Sequence, residues 1–237
     1  MKKLLLLSVA GACLALVSCS TSSGVRGGSG RGRTERLRKA KGRKASSTRW
    51  LRRQLADGYV AEARDRGLRS RAAFKLIELD DRFCFLKPGQ RVVDLGAAPG
   101  GWTIVAAERV NAAGANKGKR GAVIGIDIVE ADSVPGATLI HHDFLDAAAP
   151  KLLKDALGGP ADVVLTDRAL PATGHAATDH LRVMALLEAA FGFAYEVLAP
   201  NGVFVGKAFK GGTEKDLLAA IKKRFSSVRH AKPPASR

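Results

Sequence analysis

The stretch Asp94-Leu95-Gly96-Ala97-Ala98-Pro99-Gly100-Gly101-Trp102 carries the densest set of groups able to hold a small molecule. It follows the apolar pair Val92-Val93, so its glycines fall at the carboxyl end of a short strand, where open α/β sheets bind ligands. As a dinucleotide fingerprint it fails. The second glycine position, which must let a pyrophosphate approach the backbone, holds Ala98, and Pro99 follows it. A cofactor without a pyrophosphate fits better. Asp127 ends a second apolar strand and Asp143 follows a third, two carboxylates placed to accept hydrogen bonds from a ribose and an adenine amino group. That arrangement suits S-adenosylmethionine.

The elements that must position these groups alternate along the chain. Arg91–Leu95, Ala122–Asp127, Thr138–His141, Ala161–Asp167 and Gly202–Phe209 read as strands. Helices are expected over Ser47–Asp65, Ser70–Arg82, Trp102–Val110, Ala147–Leu157, Asp179–Leu198 and Thr213–Phe225. Alternating strands and helices predict an α/β fold, a mostly parallel central sheet with helices on both faces.

The chain has 237 residues, of which 46% are hydrophobic, enough for a core of one domain. Lys and Arg number 39 against 22 Asp and Glu, a formal charge of +17 that favours nucleic acid first and an anionic membrane surface second. Between Arg26 and Arg53 stand twelve basic residues and one acid, Glu35. The Gly, Ser and Arg composition of its first half predicts a flexible arm, and its charge predicts contact with a phosphate backbone. Cys13, Cys19 and Cys84 form no C-x-x-C pair, and His141, His142, His175 and His180 lack metal-ligand spacing, so no metal is expected.

At the amino terminus, Lys2 and Lys3 precede an apolar run from Leu4 to Val17, and Leu16-Val17-Ser18-Cys19 resembles a lipoprotein signal with Cys19 as the acylated residue. The expected organisation is a signal-like or artefactual segment over 1–23, a basic flexible arm over 24–46 and a catalytic domain over 47–237.

That domain carries a family resemblance. Its motifs are Ser70-Arg71-Ala72-Ala73-Phe74-Lys75-Leu76, Leu86-Lys87-Pro88-Gly89, the Asp94–Trp102 run, Thr173-Gly174-His175, Asp179-His180-Leu181-Arg182, Val197-Leu198-Ala199-Pro200, Gly211-Gly212-Thr213-Glu214 and Lys232-Pro233-Pro234-Ala235-Ser236-Arg237. In this order they resemble the FtsJ-type ribosomal RNA ribose 2′-O-methyltransferases, the bacterial large-subunit (uridine-2′-O-)-methyltransferase family. The resemblance implies a Rossmann-like methyltransferase fold, S-adenosylmethionine as donor, and methylation of a 2′-hydroxyl in 23S ribosomal RNA. It further implies cofactor contacts from Gly100, Trp102, Asp127, Asp143 and Asp167, with Lys75 and Lys207 as the catalytic lysines; Gly96 joins the expected cofactor contacts and Asp167 the expected catalytic group.

The reaction makes those residue types sensible. A ribose hydroxyl is a poor nucleophile, so the site must orient it and remove its proton as it attacks the methyl. Lowering a lysine from about 10.4 to near 7 costs roughly 4 to 5 kcal/mol, which burial and a neighbouring cation such as Lys75 can supply. Asp167 pulls the other way, so Lys207 either accepts the proton or stays charged and orients the hydroxyl. Lys75 reaches this point only if its helix folds back over the cofactor cleft.

The chain also departs from the family pattern. After the fourth strand the family carries Asp-Met-Ala-(Ala)-Pro; here Asp167-Arg168-Ala169-Leu170-Pro171 sets a bulky cation beside the cofactor. Lys207-Ala208-Phe209-Lys210-Gly211 replaces Lys-Val-Phe-Gln-Gly, and the final strand with its catalytic Glu is expected to be missing. Asn111 to Arg120 reads as an extra basic loop. The expected protein is a monomeric, cytoplasmic enzyme acting on 23S ribosomal RNA in the large ribosomal subunit. The alternative is a non-catalytic RNA-binding relative or an exported basic protein, lipid-anchored through Cys19.

Overall fold

The computed structural model describes residues 2–9, 48, 51–52, 55–168, 175–209 and 214–236. The basic arm over 24–46 and the lipobox Leu16-Val17-Ser18-Cys19 therefore lie outside the described residues.

Seven strands form one sheet: β1 (Lys2–Val9), β2 (Arg91–Leu95), β3 (Ala122–Asp127), β4 (Ala137–His141), β5 (Ala161–Thr166), β6 (Leu198–Phe209) and β7 (Phe225–Ala231). Their order is β4-β3-β2-β5-β6-β1-β7, and every pairing is parallel. Six helices fully bounded within the described residues accompany them: α1 (Gly58–Asp65), α2 (Ala72–Phe83), α3 (Gly101–Arg109), α4 (Ala149–Leu157), α5 (Ala176–Val197) and α6 (Glu214–Arg224).

The alternation of side chains along each strand divides the core into two layers. Ile124, Val93, Val164 and Phe204 stand opposite one another across four strands and pack with Leu153, Ala190 and Phe191 from α4 and α5. Their neighbours Val123, Val92, Val163 and Val203 face the other way, against Leu76 and Leu79 of α2 and Trp102 and Val105 of α3. Burial on both faces explains why the strands read as short continuous apolar runs.

The strand sequence reverses direction between β2 and β5, which opens a crevice at their carboxyl ends. The expected strands Arg91–Leu95 and Ala122–Asp127 are observed with those bounds. The expected helix over Ser47–Asp65 is interrupted: α1 begins afresh at Gly58, with the Asp57 side chain accepting from the Tyr59 N–H. Beyond β6 the sheet continues with β1 and β7, which the sequence reasoning did not anticipate. Lys2–Val9 is the front of the signal-like run, and a short continuous apolar stretch fits a parallel strand paired on both sides equally well. Phe225–Ala231 carries Ser, Arg and His on its exposed positions, and that polar content hid it. No helix of the described residues is long and apolar enough to cross a membrane.

Candidate active site

A cavity of about 920 Å³ opens at the crevice, lined among others by Arg69, Ala98, Trp102, Asp127, Asp132 and Arg168. Its floor is the turn from β2 to α3. Gly96 has φ 83°, and a Cβ there would meet Arg168 Cβ at 2.7 Å; Gly100 caps α3 with φ 102°, and its Cβ would meet Arg69 Nη1 at 2.8 Å. Only glycine allows both the left-handed backbone and the close approach.

Asp127 reaches across from the end of β3. Its Oδ2 accepts from the Ala98 N–H at 3.1 Å and its Oδ1 from the Val129 N–H at 3.0 Å, so backbone amides on both sides hold the carboxylate at the cavity wall. Trp102 is buried and donates its indole N–H to the Ala72 carbonyl at 2.8 Å, tying α3 to α2. Asp143 is exposed, accepts from the Leu145 N–H at 3.1 Å, and is not part of the cavity wall. Gly100 also stands outside that wall and serves as the cap of the helix beneath it.

Lys75, Asp167 and Lys207 meet at one point. Lys75 Nζ lies 2.6 Å from Asp167 Oδ2, and Lys207 Nζ lies 4.0 Å from Asp167 Oδ1, with each side chain about one-seventh exposed or less. Helix α2 does fold back over the strand ends, the condition that sequence reasoning set for Lys75. Burial pushes the Lys207 ammonium below its usual value; Asp167 opposes this and the Lys75 charge adds to it.

Two groups were missed from the sequence. Arg69, before α2, donates from Nη1 to the carbonyls of Asp132 (2.6 Å) and Pro99 (3.1 Å) and from Nη2 to Ser133 (2.6 Å). It fastens the approach to α2 onto the loops that flank the cavity. Asp94 is fully buried at the cavity floor, where Thr103 Oγ1 donates to its Oδ2 at 2.7 Å. Burial, together with Asp167 and Asp127, pushes its carboxyl up to about 7 although the Thr103 bond pulls it down.

The histidines have structural uses. His175 caps α5 by accepting from the Thr178 N–H, and His141 Nε2 lies 2.9 Å from the Ile128 carbonyl. The basic loop Asn111–Arg120 is pinned internally, with Asn111 holding both the N–H and the carbonyl of Asn116 and Arg120 Nε donating to Ala112 O at 3.1 Å.

A glycine-floored cavity with carboxylates on its wall, adjoining two lysines that share one carboxylate, can hold a nucleoside-bearing donor and take a proton from an acceptor hydroxyl. Comparison with known proteins points the same way. The family model described as FtsJ-like methyltransferase matches residues 68–237. A protein of Rhodospirillum rubrum named ribosomal RNA large subunit methyltransferase E is 62% identical over 219 residues, covering 91% of this chain and 82% of that one. A protein of the same name from Parvibaculum lavamentivorans is 54% identical over 228 residues, covering 92% and 90%. Among solved structures, one assigned as a ribosomal RNA methyltransferase from Plasmodium falciparum is 30% identical with a TM-score of 0.59, covering 65% of this chain and 86% of that one.

Proposed function

This chain belongs to the FtsJ-like methyltransferase family, and we infer that it methylates a uridine ribose 2′-hydroxyl in the 23S ribosomal RNA of the large subunit, with S-adenosylmethionine as donor. The observation that carries the reading is the Lys75–Asp167–Lys207 cluster at the edge of the glycine-floored cavity.

The residues present fit the donor. Gly96 lets the Arg168 side chain close onto the turn at the cavity floor, Asp127 presents a fixed carboxylate for ribose hydroxyls, and the buried Nη1 of Arg168 has no hydrogen-bond partner. When bound, S-adenosylmethionine supplies an electrophilic methyl on a sulfonium. The protein's own groups do the rest. Asp167 holds Lys75 through Oδ2 and turns Oδ1 toward Lys207, so both lysines are fixed around one point. Lys207, whose ammonium is lowered by burial, would in its neutral form take the proton of the acceptor hydroxyl.

The basic arm supplies affinity for the phosphate backbone that does not depend on sequence. We place the enzyme in the cytoplasm, where its ribosomal substrate is, acting as a monomer.

The test is transfer of a radiolabelled methyl group to large ribosomal subunits, followed by digestion to nucleosides. The label is expected on a 2′-O-methylated nucleoside, and Lys207→Ala is expected to slow transfer at least about a hundredfold while S-adenosylmethionine still binds. Label on a base, or an undiminished rate in Lys207→Ala, overturns the reading.

A further inference from the structure

Arg168 is the least expected group in the cavity wall. It follows Asp167 directly, its side chain lies over Gly96, and its guanidinium carbon is 5.6 Å from the centroid of the Phe144 ring. Its Nη1 is buried and has no hydrogen-bond partner. A guanidinium is always charged and offers five N–H donors, so a buried nitrogen without an acceptor is a cost to the fold. That cost is relieved by any ligand that brings an acceptor into the cavity. The plane of the group is at the same time held against an aromatic ring, which leaves it disposed to lie along a second flat π-system.

Resting on the reading of the cavity as a methyl-donor site, we propose that Arg168 recognises the adenosyl part of the donor, its guanidinium contacting the purine and Nη1 donating to an acceptor on the adenosyl group. Phe144 acts as the positioning residue that holds the guanidinium in place. A purine answers both features, because it has a flat face and acceptor nitrogens on its edge. The contact involves neither the sulfonium nor the amino acid end of the donor. Adenosine alone is therefore sufficient to reveal it.

The experiment is calorimetric titration of the full chain with S-adenosylmethionine, S-adenosylhomocysteine and adenosine, repeated with Arg168→Met and Arg168→Lys. Arg168→Met is expected to weaken all three ligands by a similar factor, about ten- to a hundredfold. Arg168→Lys keeps the charge without the plane and is expected to recover only a minor part of that loss. The melting temperature without ligand should stay level in Arg168→Met, because the group removed has an unmet hydrogen bond; this separates a lost contact from a lost fold. If wild type binds none of the three ligands, both the donor reading and this proposal fail. If wild type binds and Arg168→Met binds equally well, the proposal alone fails. It is also overturned if Arg168→Met weakens S-adenosylmethionine but not adenosine, or weakens only RNA in a salt-dependent way.

Discussion

Lys75 Nζ stands 2.6 Å from Asp167 Oδ2, an ion pair between residues 92 positions apart. One partner comes from α2, ahead of the sheet, and the other from the carboxyl end of β5, so the pair closes the helix over the strand ends. The same carboxylate leaves Oδ1 4.0 Å from Lys207 Nζ and without a hydrogen bond of its own. Two cations thus share one anion, which lies closer to Lys75 than to Lys207.

That asymmetry predicts a pH dependence. Lys207 is lowered by burial, raised by Asp167 and lowered again by Lys75, with a net fall from 10.5. Single-turnover methyl transfer is expected to increase with pH, with its inflection below the ordinary lysine value. In Lys75→Met the lowering charge is gone while Asp167 still favours the ammonium, so the inflection should move up. Rates measured from about pH 6 to 9.5 in both proteins check this. An inflection that stays put or moves down in Lys75→Met excludes the charge coupling.

Asp94 gives a stability prediction of definite sign. Its carboxyl is raised from 3.8 to about 7, chiefly by burial, so the folded state favours the protonated form. The stabilising contribution is fully present below about pH 4 and is lost as pH rises through 7. The size is on the order of 4 kcal/mol. Asp94→Asn keeps a hydrogen-bonding group beside Thr103 but cannot ionise. Urea midpoints at about pH 4.5, 6 and 8 should therefore show the variant gaining on wild type as pH rises. A constant difference across the range contradicts the assignment.

A clasp far from the chemistry is measurable through a tyrosine. Glu78, on α2, accepts from the Tyr59 hydroxyl at 2.9 Å and from the Ala235 N–H at 2.8 Å, while Arg71 donates to the Ala235 carbonyl at 2.8 Å and pairs with Asp57 at 3.0 Å. The segment around Ala235 is thereby fastened to the helix that carries Lys75. Burial, then the Glu78 bond and charge, push Tyr59 up to about 12. The chain has two tyrosines, so Tyr59 can be followed by tyrosinate absorbance against Tyr195. Glu78→Gln should bring Tyr59 down toward 10 and cost about 1 to 3 kcal/mol of stability. A Tyr59 titration unmoved by Glu78→Gln would show that the clasp does not hold in solution.

The legible part of the site is the part built on strand ends. Val92, Val93, Val123 and Ile124 are short β-branched runs, so their strands read directly, and the groups at their carboxyl ends, Gly96 and Asp127, then fall at the crevice by topology. Arg69 was not legible. It is one of 39 basic residues, and its three acceptors lie 30 to 64 positions away, where no periodicity reports them. Arg168 stood out as a cation where the resembling family has Met, but its burial against Phe144 depends on how two loops meet. The Glu78–Ala235 contact spans 157 residues and has no local signal either.

The amino-terminal strand supplies the last prediction. β1 lies between β6 and β7, with Leu5 opposite Val205 on one side and Arg229 on the other. A strand paired on both sides uses every N–H in one ladder or the other, whichever way each residue points. Proline removes one of those donors and is confined to edge strands for that reason. Leu5→Pro should therefore lower stability by about 2 to 4 kcal/mol, read from the urea midpoint, and leave the edge of β6 open to pairing with other chains. Light scattering at rising protein concentration detects that second effect. A proline in a segment outside the sheet would change neither quantity, so a variant that unfolds and scatters like wild type removes Lys2–Val9 from the fold. Loss of stability together with self-association places those eight residues among the strands on which Lys207 depends for its position, since Leu7 is its partner in the register.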